Sequence, residues 1–339
     1  LASYKGQKYE KAVVTKIIKD NLAEDGSRYG TQKVLVKMTT GTYKGKEKQA
    51  INPSGTLFGA DCKVGARIIV IVNKSGTNVG FTVYSQDRTM AIYGFALIFA
   101  AVVCAIGGKK GVYAILSLVF AFACIIGIMF PMMYRGISPI VLTIIVAVLT
   151  TIVTLGLLGG YSSKTVSAIL GTAIGVVIAA VAAMAFGKAA GITGYNVSDI
   201  EALNYVGQNT KIKIGELLFA GIIISALGAV MDVGMSIAST IQEIYETDKT
   251  LSMKRLFVSG INVGRDMMGT MTNTLIFAYV GGAMTTLVIN YAYDLSYRQL
   301  ANSYVIGIEI MQGLSGSLGV VLTVPITALI ASFLAVRKK

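Results

Sequence analysis

Apolar and polar residues follow two regimes along this chain. Through residues 1–88 they alternate over short stretches, at Ala12–Ile18, Lys33–Met38, Arg67–Val72 and Phe81–Ser85. Alternation of period two marks strands with one buried face. Turn-forming clusters separate these stretches: Asp25-Gly26, Asn52-Pro53-Ser54-Gly55 and Ser75-Gly76-Thr77-Asn78. Short strands punctuated in this way predict a small all-β domain, a five-stranded barrel of the OB type. From Thr89 the alternation gives way to continuous apolar runs. A helix crossing ~30 Å of hydrocarbon needs ~20 residues. Seven runs approach or exceed that length: 89–107, 111–130, 137–158, 165–187, 216–238, 267–290 and 314–336. The expected fold is an α-helical polytopic membrane protein with seven transmembrane helices over 89–339. It carries a small N-terminal all-β extracytoplasmic domain over 1–88.

The first four runs are joined by short connections, which predicts antiparallel neighbours. Two later connections are longer. Residues 188–215 contain a candidate helix, Ser198 to Val206, opened by an Asn/Ser cap signal. Residues 291–313 place Leu300, Tyr304, Ile308 and Met311 on one helical face, the pattern of an interfacial or packed amphipathic piece. The connection 239–266, with Glu243, Glu246, Asp248, Lys249, Lys254 and Arg255, reads as a solvated helix or helix pair.

Charge orients these elements. Lys109, Lys110, Lys164, Lys249, Lys254, Arg255, Arg265, Arg337, Lys338 and Lys339 fall on one side, and Arg135, Lys188, Lys211, Lys213 and Arg298 on the other. The richer side is expected to be cytoplasmic. That puts the β domain outside and the C-terminus inside a bacterial cytoplasmic membrane. The net charge of +13 includes +8 within residues 1–88, which carry 15 Lys/Arg against 7 Asp/Glu. Such a surplus suits anionic lipid or wall polymer, and no basic-aromatic nucleic-acid motif accompanies it.

Composition excludes several chemistries. The chain is 54% hydrophobic with a mean hydropathy of +0.68 and has no histidine, which removes His-ligated metals, Ser-His-Asp catalysis and histidine relays. Cys62, Cys104 and Cys124 are scattered, so neither a disulfide framework nor a Cys-ligated zinc is expected. No Walker-type phosphate loop is present, and hence no ATP-driven engine. Neither an enzyme nor a cofactor is expected. The chain starts at Leu1, so a signal peptide or further anchor is expected upstream.

Against that apolar background a few polar residues stand out. In the fifth run Gly221, Ser225, Gly228, Asp232, Ser236 and Ser239 recur at steps of three or four, one continuous helical stripe. Small residues allow close backbone approach and hydroxyls bond across helices, so the stripe and Asp232 are expected to face the bundle. The sixth run brings Arg265 and Asp266 at its cytoplasmic mouth, then Thr270 and Asn273. Asp232 and Asn273 each lie six residues inside their runs, ~9 Å deep at 1.5 Å per residue, so the two can meet. Three uses remain open: a structural link between helices, an ion or proton site, or contact with a partner subunit. The seventh block adds Glu309 near the outer surface, either an outer-mouth acid or a solvated carboxylate. Gly313, Gly316 and Gly319 mark tight contact or an unwound cavity lining, and Pro325 predicts a kink. Gly171 with Gly175 reads as a packing contact, and Met129, Met132, Met133, Met267, Met268 and Met271 as core or lipid-facing filler.

Three strings, GAVMDVGMSIAS (228–239), GRDMMGTMTNTLIFAYVGG (264–282) and EIMQGLSGSLGVVLTVPIT (309–327), resemble blocks of the YibE/F-like family of bacterial membrane proteins. The resemblance is strong over about 200–330 and looser elsewhere. It implies a multi-pass protein of a family sometimes described as transporters, and it brings no assigned site residues. Two functions follow. One is a secondary transporter or permease for a small solute or ion, coupled to a cation or proton through Asp232. The other is a non-transporting receptor or scaffold that presents the basic β domain to an extracellular partner. Lipid and a homologous or identical membrane subunit are the expected neighbours in either case.

Overall fold

The computed structural model describes residues 7–21, 30–53, 59–75, 78–197 and 199–337. The turns expected at Asp25-Gly26, Ser54-Gly55 and Gly76-Thr77, the cap at Ser198, the terminal Lys338 and Lys339, and Leu1 lie outside the described residues. The chain divides into two compact units, Leu1–Val102 and Val103–Lys339.

The first unit is built on five strands: β1 (Gln7–Lys19), β2 (Thr31–Met38), β3 (Glu47–Pro53), β4 (Arg67–Ser75) and β5 (Asn78–Gln86). They close a barrel in the order β1-β2-β3-β5-β4, with β3 parallel to β5 and the other pairings antiparallel. In β2 the predicted alternation is visible position by position: Gln32, Val34, Val36 and Met38 are buried and the intervening side chains are outside or half-buried. The sequence pattern did not identify β3, and the reason is chemical. Its fully buried positions are Ala50 and Asn52, so little apolar periodicity marks it. Asn52 instead anchors a buried polar network. Its Nδ2 donates to Gln32 Oε1 (2.8 Å) and to the Ala60 carbonyl (2.7 Å), and its Oδ1 accepts from the Ala60 N–H (3.0 Å). Buried amides so satisfied cost little and fix the segment before β4 to the barrel. Gly59 in that segment has φ +116, and a Cβ there would strike the Pro53 carbonyl.

One carboxylate ties the barrel's last strand to its first. Asp87 pairs with Lys11 Nζ at 3.0 Å and accepts from the Thr89 N–H at 3.0 Å. Hydrogen bonds from Thr89, aided by Lys11, hold its pKa down at about 2. The folded value lies below the unfolded one (~3.9), so the unfolded chain binds more protons in that interval. This contribution is full above about pH 4 and is lost as pH falls toward 2. Protection factors of amides in β1 and β4, corrected for the intrinsic exchange rate at each pH, are therefore expected to fall between pH 4 and 2. In Asp87→Asn that acid-dependent component should vanish, leaving faster exchange at pH 7. An unchanged acid profile in the variant would remove Asp87 from the barrel's stability.

The remaining elements are helical: α1 (Thr89–Cys124), a π turn (Ile125–Met129) running into α2 (Phe130–Tyr134), α3 (Pro139–Gly159), α4 (Ser163–Ala190), α5 (Ile200–Asn209), α6 (Leu217–Thr247), α7 (Met253–Gly282), α8 (Met284–Ala292), α9 (Tyr297–Ala301) and α10 (Tyr304–Arg337). Local chemistry sets several ends. Ser138 caps α3 with Pro139 in the first turn, Ser162 caps α4, and Gly191 (φ 65) closes α4 in the left-handed region. The α1 element is not one rod. Gly108 (φ 54, ψ −132) breaks it, and the backbone at Gly111 returns against Val103 and Cys104, so the chain reverses at the GGKK sequence.

Among the described residues five helical segments are long and apolar enough to cross a membrane: 89–134, 139–159, 163–190, 214–247 and 304–337. A sixth is counted if α7 and α8, bent by 61° at Ala283, are one span. Two expectations need correction and one is met. The sixth run is broken after Gly281-Gly282, where two glycines weaken the helix. The connection 239–266 is the expected helix pair, with Glu243, Glu246, Asp248, Lys249, Lys254 and Arg255 exposed, and it also carries one buried face. Helix α6 continues to Thr247 and α7 begins at Met253, because Ile241, Tyr245, Leu256, Gly260 and Gly264 continue a buried helical face through the charged stretch. The outer amphipathic piece is absorbed by α9 and the start of α10, where Ile308 and Met311 are buried. Near Ser198, α5 starts at Ile200.

The second unit's core is a packing of α4, α6, α7 and α10. Gly171 and Gly175 of α4 receive Thr327 and Thr323 of α10. Gly319 lies against Ala179, where an added Cβ would stand 2.9 Å from the Ala179 Cβ and from the Gly175 carbonyl. The expected packing role of these glycines is what the structure shows. Tight contact is likewise the outcome at Gly316, 3.3 Å from the Ala226 Cβ in the same sense, within a helix that continues through Pro325.

Candidate functional site

Helices α6 and α7 are antiparallel neighbours in register. The Tyr279 hydroxyl donates to Ser225 Oγ at 2.8 Å near one end, and a Cβ at Gly264 would stand 3.2 Å from Ile237 Cδ1 toward the other. This ruler sets Asp232 level with Gly269–Asn273, as the depth estimate anticipated. It also moves the group. Asp232 is fifteen residues from either end of α6, and Arg265 is twelve residues from the start of α7. At 1.5 Å per residue these are ~22 and ~18 Å. Arg265 and Asp266 therefore lie within α7, about three turns past its start.

The face they occupy is also corrected. Gly221, Ser225, Gly228 and Asp232 are exposed, and Ser236 and Ser239 are half-buried. A Cβ built at Gly221 or Gly228 would meet nothing within 4 Å. The stripe turns outward because α6 has a second, opposite stripe. Ala226, Val230, Val233, Ile237 and Ile241 are buried, facing the close approach that α4 and α10 glycines provide. On α7 the same division holds. Leu256, Gly260, Gly264 and Leu275 are buried, whereas Asn262, Arg265, Asp266, Gly269, Thr270 and Asn273 are exposed. Among the described residues the side chains of Asp232, Arg265 and Asp266 make no ion pair and no hydrogen bond. Thr270 and Thr274 bond only to backbone carbonyls of their own helix. The chain thus brings the predicted residues to one level and one face, but does not enclose them.

Toward the Tyr279 end of α7 the structure has a cavity of about 320 Å³ between α7, α8 and α10. Ile276, Tyr279, Leu287, Ile310 and Gly313 line it together with Glu309. Glu309 is half-buried there and not a fully solvated surface group. Gly313 and Gly316 make the space in which the Tyr279 ring lies; its hydroxyl would be 3.7 Å from a Cβ at Gly316. Reasoning from sequence missed Tyr279, since an aromatic in an apolar run reads as filler. Its one available signal is the pair of glycines facing it from another helix. Met267, Met268 and Met271 pack against the core as filler.

The buried hydroxyls of Thr172, Thr327 and Ser332 have no hydrogen-bond partner. Thr327 rests on the bare face of Gly171.

A family model described as YibE/F-like protein matches residues 95–337. No curated protein and no solved structure matches the chain.

Proposed function

The chain belongs to the YibE/F-like family, and from that premise we propose that it is an integral membrane permease for a small solute or ion. In this reading seven segments cross the bacterial cytoplasmic membrane. They are the five apolar helical segments with 89–134 counted as two arms around Gly108, plus the bent α7–α8 pair. The barrel lies outside and the C-terminus inside, as the lysine and arginine distribution favours. Asp232 is the coupling acid for a cation or proton, with Asn273 and Thr270 as neutral ligands at its level. The observation that carries the proposal is the charged, hydroxyl-bearing face midway along two membrane-length helices. Ionisable groups at such depth are costly and mark ion and solute routes. The cavity beside Glu309 supplies a vestibule near the α7–α8 bend, the geometry of a broken span.

The full chain reconstituted in liposomes with an internal pH dye tests this under imposed H⁺, Na⁺ and K⁺ gradients. Wild type is expected to raise flux above empty vesicles for at least one gradient, and Asp232→Asn to reduce that flux at least tenfold. Wild-type flux equal to empty vesicles for all three would sink ion coupling, and unchanged flux in the variant would remove Asp232 from it. A second reading, a receptor or scaffold without transport, draws on the barrel's surplus of cations. It gains if liposomes stay tight while the protein captures anionic wall polymer.

A further inference from the structure

We propose that two copies of this chain pair through the exposed faces of α6 and α7, with Arg265 of each copy on Asp266 of the other. The inference rests on the membrane reading above. A face carrying Asp232, Arg265 and Asp266 halfway along such helices does not belong against hydrocarbon. Helix α7 is not apolar enough to pass as a span by itself and does so only together with α8. The chain has no internal cover of matching charge. Among the described residues Arg265 is the one cation within the α3–α10 bundle that stands away from a helix end. The apolar arm 89–107 carries no charge at all.

Geometry favours a second copy over another partner. Both copies insert in the same orientation, so a two-fold axis relating them runs along the membrane normal and preserves depth. Such an interface must be self-complementary. Adjacent residues on a helix differ in depth by only ~1.5 Å but point ~100° apart. Arg265 and Asp266 therefore cannot pair well within one helix, yet they match each other across the axis, twice. Gly228 and Gly269, each with open space at the Cβ position, leave the faces smooth enough for close approach. Asp232 lies about five residues along α6 from the level of Arg265, so the pairing leaves it facing the seam between copies. The solute site is then completed by the second copy.

The test uses the full chain in liposomes, labelled with one fluorophore and diluted in lipid, with subunits counted by single-molecule photobleaching. Wild type is expected to give two-step traces. Arg265→Asp and Asp266→Arg are each expected to weaken dimerisation at least tenfold, because each sets like charges opposite one another. The double variant Arg265→Asp/Asp266→Arg should regain it. The two single variants, carrying different tags and mixed, should capture each other. One-step traces for wild type at all dilutions overturn the proposal, as do single reversals that dimerise like wild type. If a reversal variant fails to fold, the wild-type count still decides. Carbonate extraction separates the two readings: protein that stays in the membrane as a monomer refutes only the pairing, and protein released by carbonate refutes the membrane reading itself.

Discussion

Gly175→Leu is expected to prevent accumulation of folded protein, and Gly175→Ala to destabilise the bundle by about 1–3 kcal/mol. The site admits no side chain. A Cβ there falls within the radius of Thr323 Oγ1, 2.9 Å from Val230 Cγ1 and 3.2 Å from the Gly319 carbonyl. These obstacles belong to α6 and α10, so no single rotation clears them. Thr323 is itself pinned, because its hydroxyl donates to the Gly319 carbonyl at 2.7 Å and its β-branch restricts χ1. A leucine must therefore push α4 from α10 across the most closely packed seam of the core. The measurement is thermal stability of a fluorescent-protein fusion by size exclusion. Thr323→Ala removes the principal obstacle and is expected to rescue part of the loss in Gly175→Ala. Strict additivity of the two changes would show that the two residues are not coupled.

The closeness of that seam also explains which parts of the architecture were legible beforehand. Period-two alternation located β1, β2, β4 and β5 because their inward positions are aliphatic. Strand β3 was silent because Asn52 and Ala50 do the inward work there. The GGKK reversal at Gly108 was readable, since glycine tolerates the positive φ and the lysines seek water. The helix pair of 239–266 is legible in the sequence, but its buried face is not, because the charges there suggest full solvation. The contrary signal was present at Leu256, Gly260 and Gly264, spaced by four, but two of those three are glycines and carry no hydropathy.

The candidate site divides in the same way. Residue choice and level were readable, since helical rise alone aligns Asp232 with Asn273. The face was not. Small residues on α6 predict a packing stripe, yet helices can also approach when the partner supplies the glycines. Here α4 and α10 supply them, which frees the small stripe of α6 for something outside the chain. No single helix reveals this choice, because it depends on which of two neighbours carries the small residues.

Filling the cavity beside Glu309 should have the second large effect. Gly313→Ala is expected to be tolerated, since its Cβ would stand 3.7 Å from the Tyr279 ring and 3.8 Å from Ile276, ordinary contact distances. Gly313→Phe would add a large aromatic ring at the edge of the cavity of about 320 Å³ that Gly313 lines. The Tyr279 ring and Ile276 stand directly beyond the Cβ position, so the larger ring must turn past them, and the melting temperature is measured alongside to confirm that the variant is folded. If the cavity is the permease vestibule, gradient-driven flux in liposomes should fall at least tenfold in the phenylalanine variant and little in the alanine one. The contrast between the variants isolates occupancy from fold. Loss of flux in both would point to helix packing at Gly313, and full flux in Gly313→Phe would mean that solute reaches Asp232 by another way. Such a route would follow the exposed faces of α6 and α7, the seam between copies in the proposed pair, where Asp232, Arg265 and Asp266 lie.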